Sequence, residues 1–184
     1  MYKVLKIITI LLFVALQIAL LSAIGVESTQ HTFIVVFIGI LSVAILLAYA
    51  KLPLHHHEHL FEDITVAVWV PVGAVLTFCL NSYLHLGAVI AAGLVGVVAS
   101  LVPLLSNRSL YLKQLPVALY CGAFVGMSSD MVATSLGFVL VAGLVTAVFL
   151  VLSKSLLTGV GGKLGTMAFG GVAITSFIYF LLFK

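Results

Sequence analysis

Charge is the first thing this sequence has little of. Only 7% of its residues are charged and 64% are hydrophobic, whereas a soluble domain carries about a quarter charged residues. A chain of 184 residues has too little interior to hide that much apolar surface from water. The scarcity excludes an ordinary soluble domain and makes lipid the solvent for most of the chain. In lipid every backbone N–H and C=O needs a partner within the protein, which leaves helices or closed barrels. Barrel strands alternate over segments of about ten residues. This chain instead has long unbroken apolar runs and a mean hydropathy of +1.37, so the expected fold is an all-α integral membrane protein.

Other shortages narrow the function. The two cysteines, Cys79 and Cys121, both lie inside apolar runs, which excludes a disulfide framework or a cysteine zinc site and reads as two small buried residues. Eight basic against five acidic residues is too small an excess to point to nucleic acid, and no such partner is expected. The glycine-rich stretch Gly159 to Gly165 lacks the strand and spacing of a phosphate loop and reads as a flexible entry to the last helix. The apolar runs bring no nucleophile, base and orienting group together. A set of His85, Ser129 and Asp130 fails because adjacent helical residues point in different directions. No enzyme activity is expected.

What is present is a series of runs near the twenty or so residues that span a bilayer: 5 to 25, 32 to 50, 64 to 81, 84 to 105, 132 to 152 and 164 to 183, with a shorter one at 115 to 129. They divide the chain into two leading helices with a His-rich loop (1–63), two helical hairpins (64–105 and 106–152) and a closing helix (153–184). Lys and Arg are retained on the cytoplasmic side of short loops. With the N-terminus inside and seven crossings, Lys3, Lys6, Lys51, Arg108, Lys113, Lys154 and Lys163 are cytoplasmic and only Lys184 is outside. This asymmetry sets the expected topology in a plasma (cell inner) membrane. Met1 to Ser28 also has the basic start and small residues, Ser22 and Ala23, of a secretory signal, but its apolar stretch is longer than the usual signal core and reads as a span.

The hairpins resemble each other. Gly73-Ala74-Val75-Leu76 returns as Gly122-Ala123-Phe124-Val125, and Gly87 through Val98 returns as Gly137 through Val148, sharing Ala-Gly-Leu-Val. Residues 170 to 176 echo residues 123 to 129 more faintly. Each hairpin holds an even number of crossings, so the two copies are expected to be parallel repeats about an axis along the membrane normal, an arrangement some transporters use. Small residues at every fourth position, Ala118, Gly122 and Gly126 in one run and Ala92, Gly96 and Ser100 in another, are expected helix-packing faces.

Polar residues are rare enough to be read one at a time. The repeat aligns Asn81 with Asp130, placing a polar residue at each outer corner, with His85, Ser128 and Ser129 nearby and Thr175 and Ser176 toward the outer end of the last helix. An ionisable residue at membrane depth is costly unless it lines a water-filled cavity or finds a partner. These seven residues are therefore the expected polar pathway, although Asn and Asp also suit turns on their own account. The short run at 115 to 129 either begins earlier, among Leu110 to Leu112, or ends below the outer surface. Pro71 is expected to kink its helix near mid-membrane and free a carbonyl.

On the cytoplasmic side, 51 to 63 gathers four of the six histidines and three of the five acidic residues. If that stretch is helical, His55, His59 and Glu62 share a face that suits a divalent metal. Histidine protonation or a plain solvated surface are the other readings, and beyond that metal no cofactor is expected. The working expectation is a transporter or channel for a small solute or ion, in lipid and as a homo-oligomer or with a partner membrane subunit. The competing class is a non-transporting sensor, anchor or assembly subunit. A metal-dependent membrane enzyme would need the histidine loop to meet a substrate cleft.

Overall fold

The computed structural model describes residues 2–27, 63–106, 108–153 and 162–182, together with isolated helical residues between 33 and 47. All regular structure among these residues is helical. Helix α1 spans Tyr2–Glu27, α2 Ile64–Ala67, α3 Trp69–Phe78, α4 Ala88–Leu101, α5 Leu110–Gly126, α6 Leu136–Leu152 and α7 Lys163–Leu182. A π turn, Cys79–Tyr83, prolongs α3, and a 3-10 turn, Val102–Leu105, prolongs α4. Three rods, Ile64–Tyr83, Ala88–Leu105 and Lys163–Leu182, are long and apolar enough to cross a membrane, and Leu136–Leu152 is a shorter apolar helix.

Helix ends follow local chemistry that hydropathy does not register. Asp63 opens the first rod by accepting from the Thr65 N–H at 3.0 Å. The hydroxyls of Ser109 and Ser135 cap α5 and α6 in the same way, at 3.3 Å from the Leu112 N–H and 3.2 Å from the Phe138 N–H, each satisfying one of the orphan donors of a first turn. Helix α4 starts at Ala88 rather than at 84, because the corner passes through His85 at φ 52° and Gly87 at φ 84°, left-handed conformations that no helix continues through. Helix α5 begins at Leu110, the earlier of the two starts considered for the short run. Its 17 residues reach about 26 Å. Pro71 is the third residue of α3 and lies near the middle of the rod Ile64–Tyr83; the break between α2 and α3 falls at Val68, about one turn before it, as the missing N–H requires.

The core is organised on the contact of α3 with α5. A Cβ at Gly73 would collide with the backbone carbonyl of Leu119, and one at Gly122 with the carbonyl of Val70. These contacts are reciprocal: the 49 residues that separate Gly73 from Gly122 also separate Val70 from Leu119. Gly126 extends the seam against the Ala74 carbonyl and the side chain of Thr77. The outer helices cross over. Helix α6 lies on α3, with Gly143 2.9 Å from the Cα of Pro71 in Cβ-added geometry, and α4 lies on α5, with Gly96 2.5 Å from the Tyr120 ring. Pro71 and Tyr120 are again 49 apart.

Helix α7 closes one side. Gly171 faces the Thr146 hydroxyl and Ala142 carbonyl of α6, and Gly170 faces Phe149 and Leu16 of α1. Cys121 is fully buried, its Sγ 3.7 Å from the Leu164 carbonyl, while Cys79 is half-buried. Outward faces carry large apolar side chains, among them Val89 at 76% exposure and Phe177 at 62%. That suits lipid as the neighbour, since soluble monomers do not spread such patches around their surface.

Gly122→Ala should destabilise the protein by about 1–3 kcal/mol, the usual cost of overpacking, because backbone atoms cannot step aside. Gly93, with nothing within 4 Å of an added Cβ, is the control: Gly93→Ala should be neutral or stabilising by up to about 1 kcal/mol. Unfolding by SDS in mixed micelles reads both.

Candidate functional site

The α3–α5 seam has two polar ends. At one, the chain's single tryptophan donates from Nε1 to the Tyr111 hydroxyl at 2.7 Å, and that hydroxyl lies 3.5 Å from the Thr65 carbonyl. At the same end Lys163 Nζ donates to the Ser153 carbonyl. The first bond ties the start of α3 to the start of α5, and the second ties the start of α7 to the end of α6.

The other end carries Asp130. The π turn, wider than an α turn, brings the Ser82 hydroxyl to the Asp130 carboxylate, which accepts at 2.7 Å. This bond joins the corner of the first hairpin to that of the second. Asp130 is exposed and Asn81 half-buried beside Ser82. About one turn below, on the same seam, Thr77 is fully buried against Gly126, and its hydroxyl has no hydrogen-bond partner.

The residues expected to form one polar pathway therefore separate. Asp130 meets Ser82, the chain neighbour of Asn81, at the corner. Ser128 turns inward and donates to the Val125 carbonyl at 2.8 Å. The Ser129 carbonyl accepts from the N–H groups of Val132 and Ala133, so it shapes the corner through its backbone. His85 is exposed. Thr175 is fully buried in α7, its hydroxyl also without a partner, and Ser176 lines a shallow depression with Met131, Val132, Thr134, Phe138 and Tyr179. Of the packing stripes, Ala118, Gly122 and Gly126 are buried in the bundle, Ala92 and Gly96 sit against α5, and Ser100 is exposed with its hydroxyl on the Val97 carbonyl. The proposed metal ligands His55, His59 and Glu62 lie outside the described residues. Among the described residues no three His, Cys, Asp or Glu side chains gather as metal ligands.

Ser82 and Thr77 are the two residues sequence reasoning passed over. Nothing in an apolar run distinguishes a hydroxyl that turns back on its own helix, as Thr146 does on the Ala142 carbonyl at 2.8 Å and Ser153 on the Phe149 carbonyl at 2.6 Å, from one that faces another helix. The neighbouring Asn81 was the available signal for Ser82. Comparison with protein families, curated proteins and solved structures finds no match for this chain.

Ser82→Ala should loosen the corner by about 0.5–1 kcal/mol, a hydrogen bond to a charged acceptor reduced by solvent access. Ser128→Ala, which removes only a bond within its own turn, should change stability little. A double-mutant cycle of Ser82→Ala with Asp130→Ala, which removes the acceptor, should return a coupling close to the single Ser82 effect.

Proposed function

We propose that the chain crosses the plasma (cell inner) membrane seven times with its N-terminus in the cytoplasm and moves a small solute or ion, with the Asp130 end of the α3–α5 seam as its outer polar mouth. The observation that carries this reading is the Ser82–Asp130 hydrogen bond standing over the unpartnered Thr77 hydroxyl. An exposed carboxylate and a buried hydroxyl on one seam give a polar solute a first contact and a second, deeper one; of the other fully buried hydroxyls among the described residues, Thr146 and Ser153 fold back on their own helix and Thr175 lies in α7.

Other features agree with it. Seven of the eight basic residues fall on one side under this topology, with Lys184 outside. Trp69 and Tyr111 share the cytoplasmic end, where the amphipathic rings of Trp and Tyr prefer to lie. The reciprocal glycine contacts support reading 64–105 and 106–152 as parallel repeats, since a two-fold interface pairs residue i with j and the equivalent of j with the equivalent of i. In this reading lipid surrounds the bundle, further copies or a partner subunit complete it, and neither catalysis nor a resident cofactor is involved. The metal role of His55, His59 and Glu62 stays a reading of the sequence.

A second reading rests on the same seam. Gly73, Gly122 and Gly126 bring the backbones of α3 and α5 into contact, leaving no lumen between those two helices, and a closed bundle of this kind also suits a non-transporting sensor, anchor or assembly subunit. Flux decides between them. In proteoliposomes with matched insertion, Asp130→Asn should reduce flux of the transported solute about tenfold, the equivalent of about 1.4 kcal/mol. No flux from the native chain across a broad panel of ions and small solutes would sink the transport reading. A reporter fused after Lys184 should be active only in the outer compartment, and activity in the cytoplasm would remove the seven-crossing topology.

A further inference from the structure

We infer that α4 has two seats on α5, about one turn apart, and that the π turn and the Ser82–Asp130 hydrogen bond hold it in one of them. The two seats stand or fall independently of transport.

The internal repeat and the packing of the hairpins differ in register. Along α3 and α5 equivalent residues are 49 apart, so Tyr120 is the counterpart of Pro71; between α4 and α6 the repeat spaces equivalents by 50, so Gly93 is the counterpart of Gly143. In the second hairpin that glycine is used, since a Cβ on Gly143 would stand 2.9 Å from the Cα of Pro71. In the first hairpin it is not. Tyr120 is met by Gly96, three residues further along α4, and Gly93 has nothing within 4 Å of an added Cβ, alone among the glycines inside α3 to α6. Three residues of helix amount to about 4.5 Å of travel with about 60° of rotation, close to the one-turn ratchet by which packed helices change partners. Gly93 and Gly96 both lack the side chain that would keep the Tyr120 ring away, so either can receive it.

The direction of travel settles where the chain for it comes from. Gly93 lies nearer the Asp130 end than Gly96, so bringing it to Tyr120 carries α4 away from that corner, and the corner must lengthen. The π turn is the reserve. Cys79–Tyr83 is wound in the first hairpin, whereas the equivalent residues of the second, 128 to 132, lie beyond the end of α5 in an open corner. The second hairpin thus combines an unwound corner with the glycine seat that the repeat specifies, and the first combines a wound corner with the shifted seat. Partial extension of the five residues of the π turn, at up to about 3.3 Å each, covers the distance. Against this stand the bonds that keep the corner wound. The Leu84 N–H donates to the Cys79 carbonyl at 3.2 Å and the Leu86 N–H to the Leu80 carbonyl at 3.3 Å. The Ser82 hydroxyl, inside the π turn, donates to Asp130 of the other hairpin at 2.7 Å, which makes that bond the latch between the two.

The test is disulfide trapping in the full chain purified in detergent, in a background carrying Cys79→Ala and Cys121→Ala. Tyr120→Cys with Gly96→Cys reports the Gly96 seat and Tyr120→Cys with Gly93→Cys the other, since a disulfide needs Cα atoms within about 7 Å. Both pairs should cross-link, the Gly93 pair more slowly. Adding Asp130→Ala should speed the Gly93 pair about threefold, the weight of one partly exposed hydrogen bond, and Ser128→Ala should leave it unchanged. In the native background Gly93→Leu should keep or raise the thermal midpoint, because its side chain enters open space in the Gly96 seat. It should also slow hydrogen exchange at the Leu84 and Leu86 amides about fivefold, because it bars the opening to the other seat. A Gly93 pair that stays unlinked where the Gly96 pair closes overturns the inference. So does a Gly93 cross-link that Asp130→Ala fails to speed, or exchange in Gly93→Leu that matches the native chain.

Discussion

Backbone-to-backbone contact between α3 and α5 is the constraint from which the rest of the bundle follows. In lipid, helices are not driven together by apolar burial, because lipid tails are as apolar as the side chains they replace. Association must come from close packing, and the closest packing is available only where a side chain is missing. Gly73, Gly122 and Gly126 place that opportunity on one line. Once α3 and α5 meet there, α4 and α6 find their seats on the opposite partner, at Tyr120 and Pro71, and α7 is left the exposed flank of α6, which it meets with a glycine pair of its own.

The same seam determines where polarity is tolerated. Its middle is dry and occupied by main chain, so hydroxyls there either fold back on their own helix or stand alone, and charged groups are confined to the ends. Trp69 and Tyr111 finish one end with a neutral hydrogen bond; Ser82 and Asp130 finish the other with a charged one.

Much of this was legible in the sequence, and the reasons are uneven. Six of the seven apolar runs are helices in the expected order among the described residues; the run at 32 to 50 lies largely outside them. Their ends were less visible: Leu84, Leu86, Met131, Val132 and Ala133 are apolar yet lie in corners, where φ at His85 and Gly87 or the Ser135 cap decides the boundary. Asp130 stood out since charge is so rare here. Ser82 and Thr77 did not, because a hydroxyl in an apolar run acquires meaning only from the face it presents, and that face is set by the partner helix. The spacing of Gly73 and Gly122 was visible, but that each would meet the carbonyl three residues before the other was not.

The π turn has one more consequence. Along the seam equivalent residues of the two hairpins lie 49 apart, and by that offset Ser82 corresponds to Met131 and Asp130 to Asn81. The corner bond therefore joins two positions that are not equivalent, and it pairs a donor with an acceptor. Two hairpins that answer each other in the middle of the bundle are thus no longer interchangeable at the corner that holds their one carboxylate.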